Sequence, residues 1–228
     1  MRQEDREIIQ NSFLFREMDQ ERSSRIAELL DGYVRQAAKG QILIQEGDRV
    51  RHMGILLEGE VRVCRIDFEG REKLIQKLHP PYMLAADVVC TPVQISPYTA
   101  YAGEMARIWF FPYSSLQSSG VLEDGDRMYM KEKLLEFIAN ENVRKLYKVD
   151  MLSCAGARER ILKYLQIQCR KTGSSKVEIS YNREELANYL CLNRSVLSHT
   201  LAELRKEGIL EFRKNSFFLK MPVEKWFH

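Results

Sequence analysis

Asn182-Arg183-Glu184-Glu185-Leu186-Ala187-Asn188-Tyr189-Leu190-Cys191-Leu192-Asn193-Arg194-Ser195-Val196-Leu197-Ser198-His199-Thr200-Leu201-Ala202-Glu203-Leu204-Arg205-Lys206-Glu207-Gly208 is the stretch on which the fold turns. Asn182 can cap a first helix, and Glu185 three places on completes a capping box. Leu186, Ala187 and Leu190 then share one helical face. A short break, Cys191 to Arg194, leads to a second helix that Asn193 is placed to cap. Leu197, Leu201 and Leu204 recur at i, i+4 and i+7 as its inward stripe. Arg194, Ser195, Ser198, His199 and Arg205 are left facing out, and Gly208 ends the helix. Ile209 to Lys220 reads as strand, a Lys214-Asn215 turn, and strand. This predicts a helix-turn-helix with a wing, whose second helix lies in the major groove of double-stranded DNA.

The residue types suit that role. Arg donates bidentately to guanine, and Ser or His bonds bases or phosphates. Arg194, Ser195, Ser198 and His199 are the expected base-side contacts. Lys206, Arg213, Lys214 and Lys220 are the expected phosphate contacts, and Arg183 and Arg205 are expected to touch bases or backbone. A solvated charged face explains the wing residues nearly as well.

Charge points the same way. The 228 residues carry a net charge of only +3. From Leu152 onward there are 14 Lys and Arg against 8 Asp and Glu, a net +6, and the 21 basic and 24 acidic residues before it leave −3. A basic C-terminal region behind an acidic one fits a phosphate-bearing partner.

The composition, 45% hydrophobic and 29% charged, is that of a soluble globular protein. No apolar run reaches the ~20 residues of a membrane span. The start, Met1-Arg2-Gln3-Glu4-Asp5, has no signal-peptide core, so a cytoplasmic location without membrane attachment is expected. Cys64, Cys90, Cys154, Cys169 and Cys191 are far apart with no C-x-x-C pair, and His52 and His79 are isolated. Neither a metal nor a cofactor is expected. No nucleophile–base pair and no clustered His/Glu ligands suggest an enzyme.

Upstream, short alternating segments (Gln41 to Ile44, Ile55 to Leu57, Glu60 to Cys64, Lys73 to Leu78, Met105 to Phe111) are punctuated by Gly40, Gly47, Gly59 and Gly70. Such spacing predicts a sandwich or small barrel. Phe13 to Leu30 reads as an amphipathic helix before it. From about Asp126 to Met151 a long helix is expected, with Met128, Leu135, Asn142 and Val149 spaced by seven and flanked by Leu134, Ile138 and Leu146. That pattern reads as a dimer seam with one polar position. The fold class is therefore α+β, in three parts: an effector-sensing domain over 1–123, a dimerisation helix over 124–151 and a winged-helix domain over 152–228.

In this order the parts resemble the Crp/Fnr family of bacterial transcription regulators. The resemblance lies in Phe13-Leu14-Phe15-Arg16, Lys39-Gly40-Gln41-Ile42-Leu43-Ile44-Gln45-Glu46-Gly47-Asp48 and Leu57-Glu58-Gly59-Glu60-Val61-Arg62-Val63. It continues in Arg183 to Ala187, Asn193 to Ser198 and Leu204-Arg205-Lys206-Glu207-Gly208-Ile209-Leu210. It implies a cyclic-nucleotide-binding-like jelly roll, a homodimer on a palindromic operator and, for an activator, RNA polymerase as a partner. In the cyclic-AMP receptors of the family, a Gly-Glu pair and an Arg followed by a small hydroxyl residue hold the ligand. This chain has Ala85-Ala86 at the first place and Tyr98-Thr99 with no Arg at the second. A cyclic phosphate would lie without a cation, at a cost on the order of several kcal/mol, so a different small effector is expected. Tyr82, Met83, Ala85, Ala86, Tyr98, Thr99 and Tyr101 are its candidate pocket, or else barrel filling. In the reading helix Ser195 and His199 stand where relatives often carry Glu and a second Arg, which implies a different half-site. A cyclic-nucleotide-responsive regulator and a constitutive DNA binder are the rival readings.

Overall fold

The computed structural model describes residues 2–220, so residue 1 and residues 221–228, the outer ends of the first and last predicted domains, lie outside them. The chain divides into two compact units, Met1–Glu141 and Asn142–His228.

In the first unit, α1 (Gln3–Gln10) and α2 (Gln20–Leu29) precede β1 (Tyr33–Ala37), β2 (Ile42–Ile44), β3 (His52–Glu58), β4 (Val61–Ile66), β5 (Glu72–Leu78) and β6 (Met83–Leu84). The short α3 (Ala86–Val89) leads to β7 (Thr99–Ala102) and β8 (Ala106–Pro112), and α4 (Ser114–Gln117) follows. The strands form two antiparallel four-stranded sheets, ordered β1-β8-β3-β6 and β2-β7-β4-β5. This is the expected jelly roll. Its core is aromatic and branched: Phe15, Met53, Ile55, Ile108, Trp109 and Phe111 are all buried. Gly59 has φ +83°, and a Cβ there would lie 2.0 Å from the Met105 carbonyl oxygen, so only glycine fits the β3–β4 turn.

The expected single helix over Phe13–Leu30 is corrected. Helix begins only at Gln20, where the Asp19 carboxylate accepts the Arg22 amide at 2.8 Å, and residues 11–19 form turns. The turns let the neighbours Leu14 and Phe15 both enter the core, which successive positions on one helix do poorly. Next to it α1 is locked by a buried pair. Arg107 of β8 donates from Nη2 to Asp5 Oδ2 at 2.9 Å, its Nη1 lies 2.9 Å from Oδ1 as an ion-pair contact, and both side chains are almost fully covered.

One helix, α5 (Asp124–Leu152), runs from the first unit into the second, 29 residues and about 44 Å long. It has two apolar faces. Met130, Leu134 and Phe137 are buried in the barrel's core, with Phe137 edge-on to Phe13 at 5.6 Å. At its start Asp126 is gripped by Arg22 and Arg25, each at 2.7 Å. Met128, Leu135, Asn142, Leu146 and Val149 are exposed. Leu134 and Ile138, expected beside the seam, instead face the barrel. Leu134 is 3% exposed and Leu135 68%.

The second unit takes the end of α5, then α6 (Ala157–Thr172), β9 (Lys176–Glu178), α7 (Arg183–Tyr189), α8 (Arg194–Lys206), β10 (Leu210–Arg213) and β11 (Ser216–Leu219). The three strands form an antiparallel sheet ordered β10-β11-β9. Leu165, Leu186, Leu190, Leu197, Leu201, Leu204 and Phe217 fill its core. The last turns of α5 are tied into this unit. Lys148 Nζ sits 3.9 Å from the Tyr189 ring centre, and Asp150 pairs with Lys163 at 2.8 Å. Among the described residues, no helix is long and apolar enough to cross a membrane.

Candidate nucleic-acid interface and effector region

The helix-turn-helix forms from local signals. The Asn182 side chain accepts the amides of Glu184 at 3.0 Å and Glu185 at 2.9 Å, while Glu185 Oε2 accepts the Asn182 amide at 2.9 Å. The capping box closes as the spacing requires. Cys191 takes φ +52° in the break that follows. Asn193 stands at the N-cap of α8 as expected, but its side chain makes no capping bond.

Leu197, Leu201 and Leu204 are buried, and Arg194, Ser195, Ser198, His199, Arg205 and Lys206 are exposed. The contacts among them are loose. Arg194 lies 3.8 Å from Glu184, and His199 lies 3.2 Å from Glu203 on the same helix. Exposed polar contacts of this kind are worth ~0–1 kcal/mol, so both side chains can exchange partners cheaply. Glu207, one turn beyond, holds Arg158 bidentately at 2.9 and 2.5 Å.

The wing tip places Arg213 and Lys214 in the open, with Lys214 at φ +51°. Arg183 differs from the other predicted contacts. It is half-buried, its Nη2 donates to the Lys214 carbonyl at 2.8 Å, and its guanidinium lies over Phe212 at 5.0 Å and Phe217 at 4.9 Å. Burial lowers its pKa. Arg205 covers Phe212 as well, at 5.0 Å. Phe212 and Glu184 were not singled out from sequence; the Arg183–Phe212 spacing of 29 residues leaves no local signal. An open depression of about 470 Å³ lies between the α7 start, Arg194 and the tip, lined by Asn182, Arg183, Glu184, Arg194, Lys214 and Asn215.

In the barrel, the polar side-chain atoms of the candidate pocket residues already have partners within the protein. Met83, Ala85, Ala86, Tyr98 and Thr99 are buried. Tyr98 donates to Asp87 at 3.1 Å, Tyr82 to Glu141 of α5, and Tyr101 to Glu72 at 2.8 Å. Thr99 accepts the Glu46 amide at 3.2 Å. Burial and the facing carboxylates push the Tyr98 and Tyr101 hydroxyls well above their ordinary pKa, so both stay protonated donors. Ala85 has φ +63°, a backbone state in which an alanine is uncommon. Asp87, Glu141 and Glu72 were missed in the sequence because nothing local links them to the tyrosines.

All five cysteines are free. Burial and then Glu72 push the Cys64 thiol up to about 12, which makes it inert at neutral pH. Among the described residues, no group of three His, Cys, Asp or Glu could hold a metal ion.

Two family models match the chain. The cyclic nucleotide-binding domain matches residues 34–119, and the Crp-like helix-turn-helix domain matches residues 159–222. The anaerobic regulatory protein of Pasteurella multocida is 22% identical over 177 residues, which are 75% of this chain and 63% of that protein. The fumarate and nitrate reduction regulatory protein of Vibrio cholerae is 23% identical over 183 residues, 77% of this chain and 70% of that one. Among solved structures, FixK2 from Bradyrhizobium japonicum superposes with a TM-score of 0.64 at 18% identity, covering 83% of this chain and 93% of its own. The c-di-GMP responsive regulator CLP of Xanthomonas campestris gives 0.68 at 14% identity, covering 88% and 100%. With a cyclic nucleotide-binding domain and a Crp-like helix-turn-helix matched in that order on either side of one long helix, the chain belongs to the Crp/Fnr family of transcription regulators.

Proposed function

We propose that this protein binds a palindromic operator as a homodimer, with α8 of each copy in the major groove and the wing on the sugar-phosphate backbone. The first turns of α8 carry the reading. Arg194, Ser195, Ser198 and His199 are exposed there while the leucine stripe of the same helix is buried. The exposed seam of α5, Met128 to Val149 with Asn142 at its polar position, supports pairing of two copies. Residues 1–123 act as the sensor, 124–151 as the dimer helix and 152–228 as the reading domain. The place of work is the cytoplasm, and RNA polymerase is the partner wherever the protein activates.

Selection of bound sites from random duplexes, with and without small metabolites from a cell extract, tests this. Enrichment of an inverted repeat with half-sites about 34 Å apart is expected. A pool that never enriches at low salt overturns it.

The effector is not a cyclic nucleotide. The stretch 96–102, where a cyclic phosphate would need an arginine, has none, and its Tyr98 is bonded to the Asp87 carboxylate. An anion brought beside that carboxylate meets repulsion instead of a partner. Calorimetry with cyclic AMP and cyclic GMP is expected to show no saturable heat; saturation by either refutes this point. A second reading, DNA binding without any ligand, is favoured by the tyrosine hydroxyls being bonded within the protein. In that case the selected site is the same in both arms of the selection.

A further inference from the structure

We infer that Arg183 is the residue that positions the wing tip, and that it does not itself touch the DNA backbone. The inference rests on the DNA-binding reading above and assigns one of its residues a different task.

The guanidinium is committed within the domain on two of its nitrogens. Its Nη2 is engaged by the Lys214 carbonyl oxygen, and its Nη1 is shut off from solvent with no hydrogen-bond partner. The planar group lies over Phe212 on β10 and Phe217 on β11. A cation held over aromatic rings and stripped of water gains attraction from the ring faces. It also surrenders the hydration that a phosphate contact would otherwise replace. Leaving Nη1 unpaired costs stability. That cost is retained where the remaining contacts fix something of use, and here they fix a carbonyl of the two-residue turn.

The turn needs fixing. Lys214 holds φ +51°, which lysine adopts far less readily than glycine or asparagine. The other side of the tip is held where the Ile179 amide donates to the Asn215 carbonyl at 3.0 Å. Arg183 opens α7, so the first helix of the helix-turn-helix reaches the tip directly. Arg205 of α8 lies over the same Phe212 ring, at 5.0 Å. Both helices therefore meet the wing at Phe212, and the tip cations are presented at a set place beside Arg194.

Salt titrations of operator binding separate positioning from contact. Each phosphate contact adds about 0.9 to the slope of log affinity against log salt. Lys214→Ala is expected to lower the slope by about 0.9. Arg183→Lys keeps the charge but loses the planar fork, and it is expected to lower the slope by the same amount as Lys214→Ala. The double variant then loses no more than either single one. Phe212→Leu, which leaves both cations in place, is expected to follow Arg183→Lys, and it carries the test if Arg183→Lys fails to fold. A normal slope and affinity in Arg183→Lys, additive losses in the double variant, or a Lys214→Ala slope equal to the parent's would each overturn the inference.

A readout without DNA keeps the two readings apart. In the free protein, exchange of the Ile179 amide is expected to quicken about tenfold in Arg183→Lys while the α8 amides hold their rates. An unchanged Ile179 rate overturns the positioning role. Absence of any DNA binding by the parent protein with quickened Ile179 exchange sinks only the functional reading.

Discussion

The barrel and the winged helix use arginine in opposite ways. In the barrel, Arg107 is closed inside against Asp5, and Arg22 and Arg25 converge on the covered Asp126. Lys77 and Arg62 do the same around Glu60. In the winged helix, Arg194, Arg205, Lys206, Arg213 and Lys214 stay exposed. Arg183 is the one predicted contact treated in the barrel's manner. Charge in the first unit is satisfied internally, so it says little about partners. Charge in the second is left unsatisfied enough to meet a polyanion. The net charges of the two regions hint at this, and only the pairing reveals it.

The sharpest way to break that contrast is Asp5→Ala. It strands Arg107 inside the barrel, and a loss of about 3–5 kcal/mol in unfolding free energy is expected by chemical denaturation. A loss near that of a surface pair would show that the barrel's charges are no more committed than the wing's. The same pair gives a pH signature. Burial raises the Asp5 pKa most, but the Arg107 hydrogen bond, the Arg2 amide and the two positive charges together outweigh it, so the folded value lies below the ordinary 3.8. The contribution is thus full above the ordinary value and disappears as pH falls through the lower folded one. The gap between parent and variant should narrow only in strong acid.

Next in size is a test of the two faces of α5. Leu134→Ala opens a cavity in the barrel and should cost about 2–5 kcal/mol of stability. Its neighbour Leu135→Ala should leave monomer stability within about 0.5 kcal/mol and weaken self-association instead, as read by sedimentation. Equal stability losses at both positions would remove the exposed seam. On the reading helix, Arg194→Ala should weaken operator binding by about 1–3 kcal/mol and relax preference at one base pair. The smallest expected effect is at Glu207. Glu207→Gln breaks an exposed pair with Arg158, and no measurable shift in melting temperature is expected.

The winged helix was legible because its signals are local. A cap, its partner three residues on, a leucine stripe and a two-residue turn lie within forty residues. The barrel was legible as a class and not as a map. β1 pairs with β8 across about seventy residues, Val34 opposite Trp109, and β1 carries no clean alternation. Leu134 and Leu135 are indistinguishable in the sequence; the barrel alone decides which one turns inward. In the sequence Tyr82, Tyr98 and Tyr101 are either candidate pocket residues or barrel filling, and their carboxylate partners Glu141, Asp87 and Glu72 become visible only when the chain is folded. Turns at residues 11–19 escaped because four apolar residues in six imitate a helix.

The ties of Lys148 to Tyr189 and of Asp150 to Lys163 bear on how the reading head can be isolated. A fragment cut just after Leu152 would bare one face of the Tyr189 ring and deprive Lys163 of its carboxylate. One begun near Asn142 would keep both, carrying about three turns of the stalk as its own N-terminal splint.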